Sequence, residues 1–196
     1  LTDIAQRTTA RVWATTRARS VVAPAWSNAR WIRDDEVVPE AVTTLVVIGG
    51  GTFIDNAKRL WRTRGENLTQ LIAVPTIWGS GAEASPVVVW TEDGKKQFQL
   101  NEAFLPSGVS FFDRFAETID DDRARAACGD VWAHALEGFL APIGSAETHS
   151  QLAALLRDLM ELDVGKTANW FRVSARAAFL QSQAAVGLVH GIAHTL

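Results

Sequence analysis

The chain has 196 residues, 47% hydrophobic and 21% charged, enough length and apolar content to bury a substantial core. A formal net charge of −3 argues against a nucleic-acid or anionic-membrane partner, and no apolar run approaches the ~20 residues of a membrane span. A single cysteine, Cys128, excludes an internal disulfide and, with no signal peptide in view, suits a reducing, cytoplasmic setting.

Residues 1–20 are thinly apolar and rich in Thr and Arg, and their spacing predicts a weak amphipathic helix. Residues 21–26 read as a short strand and 27–39 as a polar turn. The signal then sharpens. Thr44-Leu45-Val46-Val47-Ile48 is a β-branched run of the length expected for a buried parallel strand. It runs into Gly49-Gly50-Gly51-Thr52, and residues 53–64 follow with helical spacing at Ile54, Ala57, Leu60 and Trp61. Strand, glycine turn and helix together aim free backbone N–H groups and a helix dipole at an anion, typically a phosphate. The same glycines also suit a plain βα turn, and the G-x-G-x-x-G fingerprint is not met, because Ile54 takes its last glycine's place.

A second strand, Leu71-Ile72-Ala73-Val74, opens into Pro75-Thr76-Ile77-Trp78-Gly79-Ser80-Gly81-Ala82-Glu83, small residues suited either to a ligand crevice or to an ordinary loop. Residues 86–90, the turn Thr91-Glu92-Asp93-Gly94 and residues 95–100 predict a β-hairpin, and 108–112 a further strand ending at Asp113. From there the pattern is helical. One helix is expected over 120–141 with Asp120 as N-cap, a second over 147–162 with Leu152, Leu155, Leu156 and Met160 on one stripe, and a third from 166 onward. The expected division is an α/β domain over residues 1–118 and an all-helical domain over 119–196. The chain opens on Leu1 rather than Met and stops without a helix C-cap signal, which reads as part of a longer polypeptide.

Within the helical half, Asp130 and His134 lie four residues apart on one helix face, and His190 and His194 repeat that spacing. Two such pairs can enclose one divalent cation, with imidazole and carboxylate suited to Zn²⁺ or Fe²⁺. Histidines satisfied within an apolar core have the same spacing, so both readings stand on pattern alone. Glu137, one turn past His134, is either a carboxylate that orients such a ligand or a solvated or capping group.

The segment from Gly49 to Lys58 resembles the GGGSxxDxAK loop of the iron-containing (group III) alcohol dehydrogenases, and Val74 to Glu83 resembles their PTTxGTGSE loop. Asp130-x-x-x-His134-Ala135-Leu136-Glu137 is similar to their DxxxHxxE metal helix, and His190-x-x-x-His194 to their HxxxH, all four in family order. The resemblance implies a dehydroquinate synthase-like fold, an α/β dinucleotide-binding domain followed by an all-α metal-binding domain. It implies hydride transfer between NAD or NADP and a small alcohol or aldehyde, assisted by Fe²⁺ or Zn²⁺, with homo-oligomers among the arrangements allowed. Carried over by position, Gly50, Gly51, Thr52 and Asp55 would hold the pyrophosphate and ribose, while Thr76, Ser80, Ser85 and Lys96 would line the nicotinamide side. Asp130, His134 and His190 would be metal ligands, and His194 would face substrate and nicotinamide. The family's fourth ligand is a further histidine beyond HxxxH, which this chain ends before reaching, and Trp78 stands where the family carries a small residue. Three alternatives accompany this reading. One is a sugar-phosphate cyclase-like member of the superfamily, although no basic cluster lies near the helical motifs. Another is a glycerol dehydrogenase-like member, and the third is a non-catalytic or half-site subunit with an incomplete metal site.

Overall fold

A computed structural model of the chain describes residues 1–164, 167–185 and 190. The chain begins with a short helix, α1 (Thr2–Ala5), and then strand β1 (Ala10–Ala14), helix α2 (Thr16–Val22) and strand β2 (Trp31–Ile32). This corrects the helix expected over 1–20 and the strand expected over 21–26. Ala10, Val12 and Ala14 are buried alternately with Arg11 and Trp13, a period of two that small alanines hide from a hydrophobicity count. Val21 and Val22 instead close α2, whose N-cap Thr15 accepts a hydrogen bond from the Ala18 N–H.

The remaining α/β elements are β3 (Thr44–Gly49), α3 (Gly51–Arg64), β4 (Gln70–Pro75), the hairpin β5 (Val87–Glu92) and β6 (Lys95–Leu100), and β7 (Gly108–Val109). Every residue of β3 is buried, as its unbroken apolar run requires. The hairpin turns on Asp93 and Gly94, both at positive φ (50° and 74°), the two-residue geometry that follows the strand twist. The strand expected over 108–112 pairs with β4 only at Gly108 and Val109.

Five strands form one parallel sheet in the order β2-β1-β3-β4-β7. The chain steps from β1 outward to β2, then crosses back past β1 to β3. The strand order therefore reverses between β1 and β3, where an open parallel sheet leaves a crevice at its carboxyl edge. One sheet face packs Leu45, Val47 and Leu71 against Ile54 and Ala57 of α3. The other packs Val12, Val46, Ile48 and Val74 against α2 and the later helices in one continuous core.

Those helices are α4 (Arg114–Thr118), α5 (Asp121–Leu140), α6 (Ala146–Met160) and α7 (Asn169–Ser182). Asp120 caps α5 by accepting from the Arg123 N–H, and Ser145 caps α6 by accepting from the Thr148 N–H. On α6 the buried stripe is Leu152, Leu155 and Leu159, whereas Met160, expected on it, is exposed. The third helix does not run unbroken to the chain end: α7 closes in a turn at Gln183 and Ala184. Among the described residues, no helix is long and apolar enough to cross a membrane.

Candidate active site

The twenty-residue helix α5 sets the geometry of the helical part. Asp130, His134 and Glu137 recur at i, i+4 and i+7 and therefore share one face. His190 meets that face from the far end of the chain, its ring stacked on that of His134 with centroids 4.4 Å apart. One ligand atom from each of Asp130, His134 and His190 lies within 4.8 Å of the others. A cation held at ~2.0–2.2 Å from imidazole nitrogen and carboxylate oxygen draws such a set slightly closer.

The electrostatics point the same way. Burial, opposed by the Asp130 charge and aided by the neighbouring His190, lowers the His134 pKa to about 4. Its ring is thus neutral near pH 7, the form that binds a metal. Gly79 faces the ring through its backbone, yet the buried Nδ1 makes no hydrogen bond of ordinary geometry among the described residues. His190 moves the other way. Hydrogen bonding to Asp130, with a further contribution from Glu137, raises its pKa against the effect of burial. Carboxylate, buried neutral imidazole and a second imidazole fit a divalent ion well.

Glu137 proves to be more than a solvated carboxylate. Its Oε2 contacts the Nδ1 of His190 and accepts from the Gln181 side-chain amide at 3.3 Å. That leaves His190 Nε2 turned toward Asp130 Oδ1, 3.6 Å away. Carboxylate support behind a ligating ring fixes its tautomer and orientation. Gln181 drew no attention as sequence, because nothing in its spacing marks it. His194 lies outside the described residues.

The second feature is a cleft of about 230 Å³ at the carboxyl edge of the sheet. It sits at the strand-order reversal, lined by Thr15 beyond β1, Gly50 beyond β3 and Thr76 beyond β4. Arg17, Thr118 and Arg123 also line it, and among the described residues no carboxylate does. Gly50 is the N-cap of α3 and offers no side chain, so the first N–H groups of that helix are uncapped by it. A Cβ at Gly50 would meet only Ile77 Cγ2 at 3.6 Å, whereas one at Gly51 would come within 2.4 Å of Ser80 Oγ. Gly51 is thus where the two glycine-bearing loops close upon each other. An uncapped helix start at the strand-order reversal fits the pyrophosphate of a dinucleotide.

The other expected nucleotide residues divide. Thr52 and Ser80 are exposed near Gly51, and Thr76 borders the cleft. Asp55 is 7% exposed, its Oδ1 paired with Lys58 Nζ at 3.2 Å and its Oδ2 accepting from the Val89 N–H. Ser85 Oγ accepts from the Val87 N–H, and its carbonyl accepts from Lys58. Both are bound up in packing rather than lining the cleft. Lys96 is exposed on β6, away from the cleft lining. Trp78 leaves the cleft altogether. It is buried in the helical core, its ring edge-on to Phe171 at 5.4 Å and stacked with Trp170 at 6.4 Å.

Comparison with known proteins finds similar sequences and similar folds. The sequence profile described as iron-containing alcohol dehydrogenase matches residues 35–113, the stretch holding both glycine loops. The 1-propanol dehydrogenase PduQ of Salmonella typhimurium is 29% identical over 173 residues, covering 80% of this chain and 47% of that protein. The maleylacetate reductase of Sphingobium indicum is 31% identical over 160 residues, covering 77% and 44%. The chain thus spans about half the length of the curated relatives it matches. The iron-containing alcohol dehydrogenase of Corynebacterium glutamicum has the same fold, with a TM-score of 0.79 at 23% identity, covering 94% of this chain and 58% of that one. Profile, relatives and fold point the same way: the chain is similar to the iron-containing alcohol dehydrogenases in sequence and has their fold.

Proposed function

We propose that this chain forms the nucleotide- and metal-holding part of an NAD(P)-linked dehydrogenase that interconverts a small alcohol and its aldehyde. In this reading residues 1–118 carry the nucleotide and residues 119–196 the metal. The observation that carries it is the gathering of Asp130, His134 and His190 beside a loop that also borders the sheet-edge cleft. Gly50, Gly51 and Thr52 hold the pyrophosphate through backbone N–H groups, and Thr76 and Ser80 flank the nicotinamide end. Asp55 and Ser85 act through the shape of the loops, since their polar atoms are engaged internally.

Asp130, His134 and His190 hold one divalent ion, Fe²⁺ by the family's description. When bound, the metal polarises the alcohol or carbonyl oxygen and the nicotinamide exchanges the hydride. The chain's own residues prepare that chemistry. Asp130 supplies negative charge, His134 is kept neutral by burial, and Glu137 holds the Nδ1 side of His190 so that Nε2 faces inward. His194, four residues after His190 in the sequence and outside the described residues, is assigned to the substrate side as a proton-handling group.

The test begins with metal content after loading with Fe²⁺ anaerobically or with Zn²⁺. The chain is expected to bind about one ion, and His134→Ala to lose it; full occupancy in that variant overturns the metal assignment. Turnover is read with NADH and NADPH on an aldehyde panel opened by propanal, and separately on the oxo-diacid maleylacetate, the compounds suggested by the relatives' names.

A further inference from the structure

The cleft at the strand-order reversal carries positive charge in its lining. In doubly wound sheets the phosphate loop follows one strand, and the residues after the adjacent strand read the adenosine ribose. An acidic side chain there accepts from the 2′-hydroxyl of NAD, whereas an arginine accommodates the 2′-phosphate of NADP. Here the glycine turn follows β3, and the adjacent strand across the reversal is β1, paired along its whole length from Ala10↔Thr44 to Ala14↔Ile48. Immediately after β1 the chain reads Thr15-Thr16-Arg17. No carboxylate stands between Thr15 and Ser20, and among the described residues none lines the cleft.

Two guanidiniums do line it, Arg17 from the β1 side and Arg123 from the start of α5. Arg17 is exposed and donates through Nη2 to the Thr118 carbonyl, which holds it across the cleft without neutralising it. Arg123 is paired with Asp120 at 3.3 Å, so its charge is partly answered already. The cleft volume of about 230 Å³ falls below the ~300–1,000 Å³ usual for a complete small-molecule site, so it suits one end of a dinucleotide.

We propose that this cleft takes the adenosine end of the nucleotide and that Arg17, assisted by Arg123, selects NADP(H) over NAD(H) by binding the 2′-phosphate. This rests on the dehydrogenase reading above and names its cofactor. Arg17 is a specificity residue, placed to touch the phosphate and not the reacting carbon. Guanidinium and phosphate meet in a bidentate, charge-assisted pair that a ribose hydroxyl cannot replace.

The experiment measures binding, so it needs neither metal nor turnover. The chain is titrated with 2′,5′-ADP and 5′-AMP by calorimetry, and with NADPH and NADH by nicotinamide fluorescence. The 2′-phosphorylated ligand is expected to bind at least ~10-fold tighter in each pair, a difference of ~1.4 kcal/mol. Arg17→Ala should remove most of that preference while leaving 5′-AMP affinity unchanged. Arg17→Asp should turn the preference toward NADH, because a carboxylate there repels phosphate and accepts from the ribose hydroxyl. Arg17 is exposed, so both variants should keep the far-ultraviolet spectrum and melting temperature of the parent. Equal binding of NADH and NADPH, or an Arg17→Ala variant that weakens both alike, overturns the 2′-phosphate assignment while the dehydrogenase reading stands. Binding of neither dinucleotide overturns both.

Discussion

The buried Lys58 gives the sharpest test of what holds the glycine loops in place. Its side chain is fully enclosed, and Nζ has four acceptors within reach of its three protons: the Ala82, Ser85 and Val87 carbonyls at 2.9, 2.9 and 2.5 Å and, farthest, Asp55 Oδ1 at 3.2 Å. Burial lowers the Lys58 pKa and raises that of Asp55, each against the attraction of the other. The geometry favours the ammonium: a neutral amine has two protons and a lone pair that would face one of the carbonyls. Lys58→Met keeps the aliphatic stem, so the cavity term is small and the loss is electrostatic. It strands a 7%-exposed carboxylate that retains only the Val89 N–H, together with three carbonyls. Breaking a buried pair from one side typically costs ~3–5 kcal/mol.

For a chain of this size, ~4 kcal/mol corresponds to a fall in melting temperature of roughly 8–16 °C. The assay is urea unfolding followed by tryptophan fluorescence at pH 7, expecting an unchanged slope and a lower midpoint. Adding Asp55→Asn to Lys58→Met should recover part of the loss, because the stranded charge is then gone. A single-variant loss below ~1 kcal/mol would refute the claim that this ammonium organises the loop.

Two further predictions concern the same region. Glu83 is 2% exposed, and burial pushes its pKa up to about 7 from 4.5, so the folded chain binds more protons than the unfolded one between those values. Stability should therefore fall as pH rises through 4.5–7 and stay lowered above it, by up to about 3 kcal/mol; urea midpoints of Glu83→Gln across pH 4.5–8 should lack that slope, and a persisting slope would contradict it. Gly50→Ala should leave the melting temperature within a few degrees of the parent and weaken nucleotide binding, whereas Gly51→Ala, driven against Ser80 Oγ, should lower stability as well. Gly51→Ala is thus a test of packing and nucleotide binding at once, and equal stability of the two variants would show that the loops give way freely.

How legible each feature was depended on whether its signal is local. The all-buried β3, the glycine turn and α3 declare themselves through consecutive residues, and so does α5 with its Asp120 cap. Asp130 and His134 needed only helical geometry to share the face that His190 meets, while the partner of His190 in its own pair, His194, lies outside the described residues. β1 carries little signal of its own, because its inward residues are Ala10, Val12 and Ala14, too small to dominate a hydrophobicity window. Missing β1 also hid Thr15 and Arg17, since a residue counts as cleft-lining only once the strand before it is recognised. Lys58, Ser174 and Gln181 act through partners 24 to 95 positions away, beyond the reach of any spacing rule.

The loop from Thr76 to Ala82 explains why two sites assembled from opposite parts of the chain sit side by side. It leaves β4 at the cleft and then turns through Gly79 and Gly81, at φ of 115° and 55°, conformations L side chains rarely adopt. Those turns press it onto the helices. Gly79 N–H donates to Ser174 Oγ at 2.9 Å, and the same hydroxyl donates back to the Gly79 carbonyl at 3.2 Å. A Cβ at Gly79 would lie 3.2 Å from Asp130 Oδ2, and one at Gly81 would strike Ala178 at 2.3 Å. Loop backbone therefore runs close beside Asp130 at one end and borders the sheet-edge cleft at the other. Trp78, between them, anchors the loop by burying its ring against Trp170 and Phe171 of α7. The same loop is fastened from behind by Lys58 through the Ala82 carbonyl. Hydride transfer needs the donor carbon and the acceptor carbonyl held at near-contact distance. A stretch fixed by two hydroxyl hydrogen bonds, a buried indole and a buried ammonium can hold the cleft and the metal cluster at a constant separation.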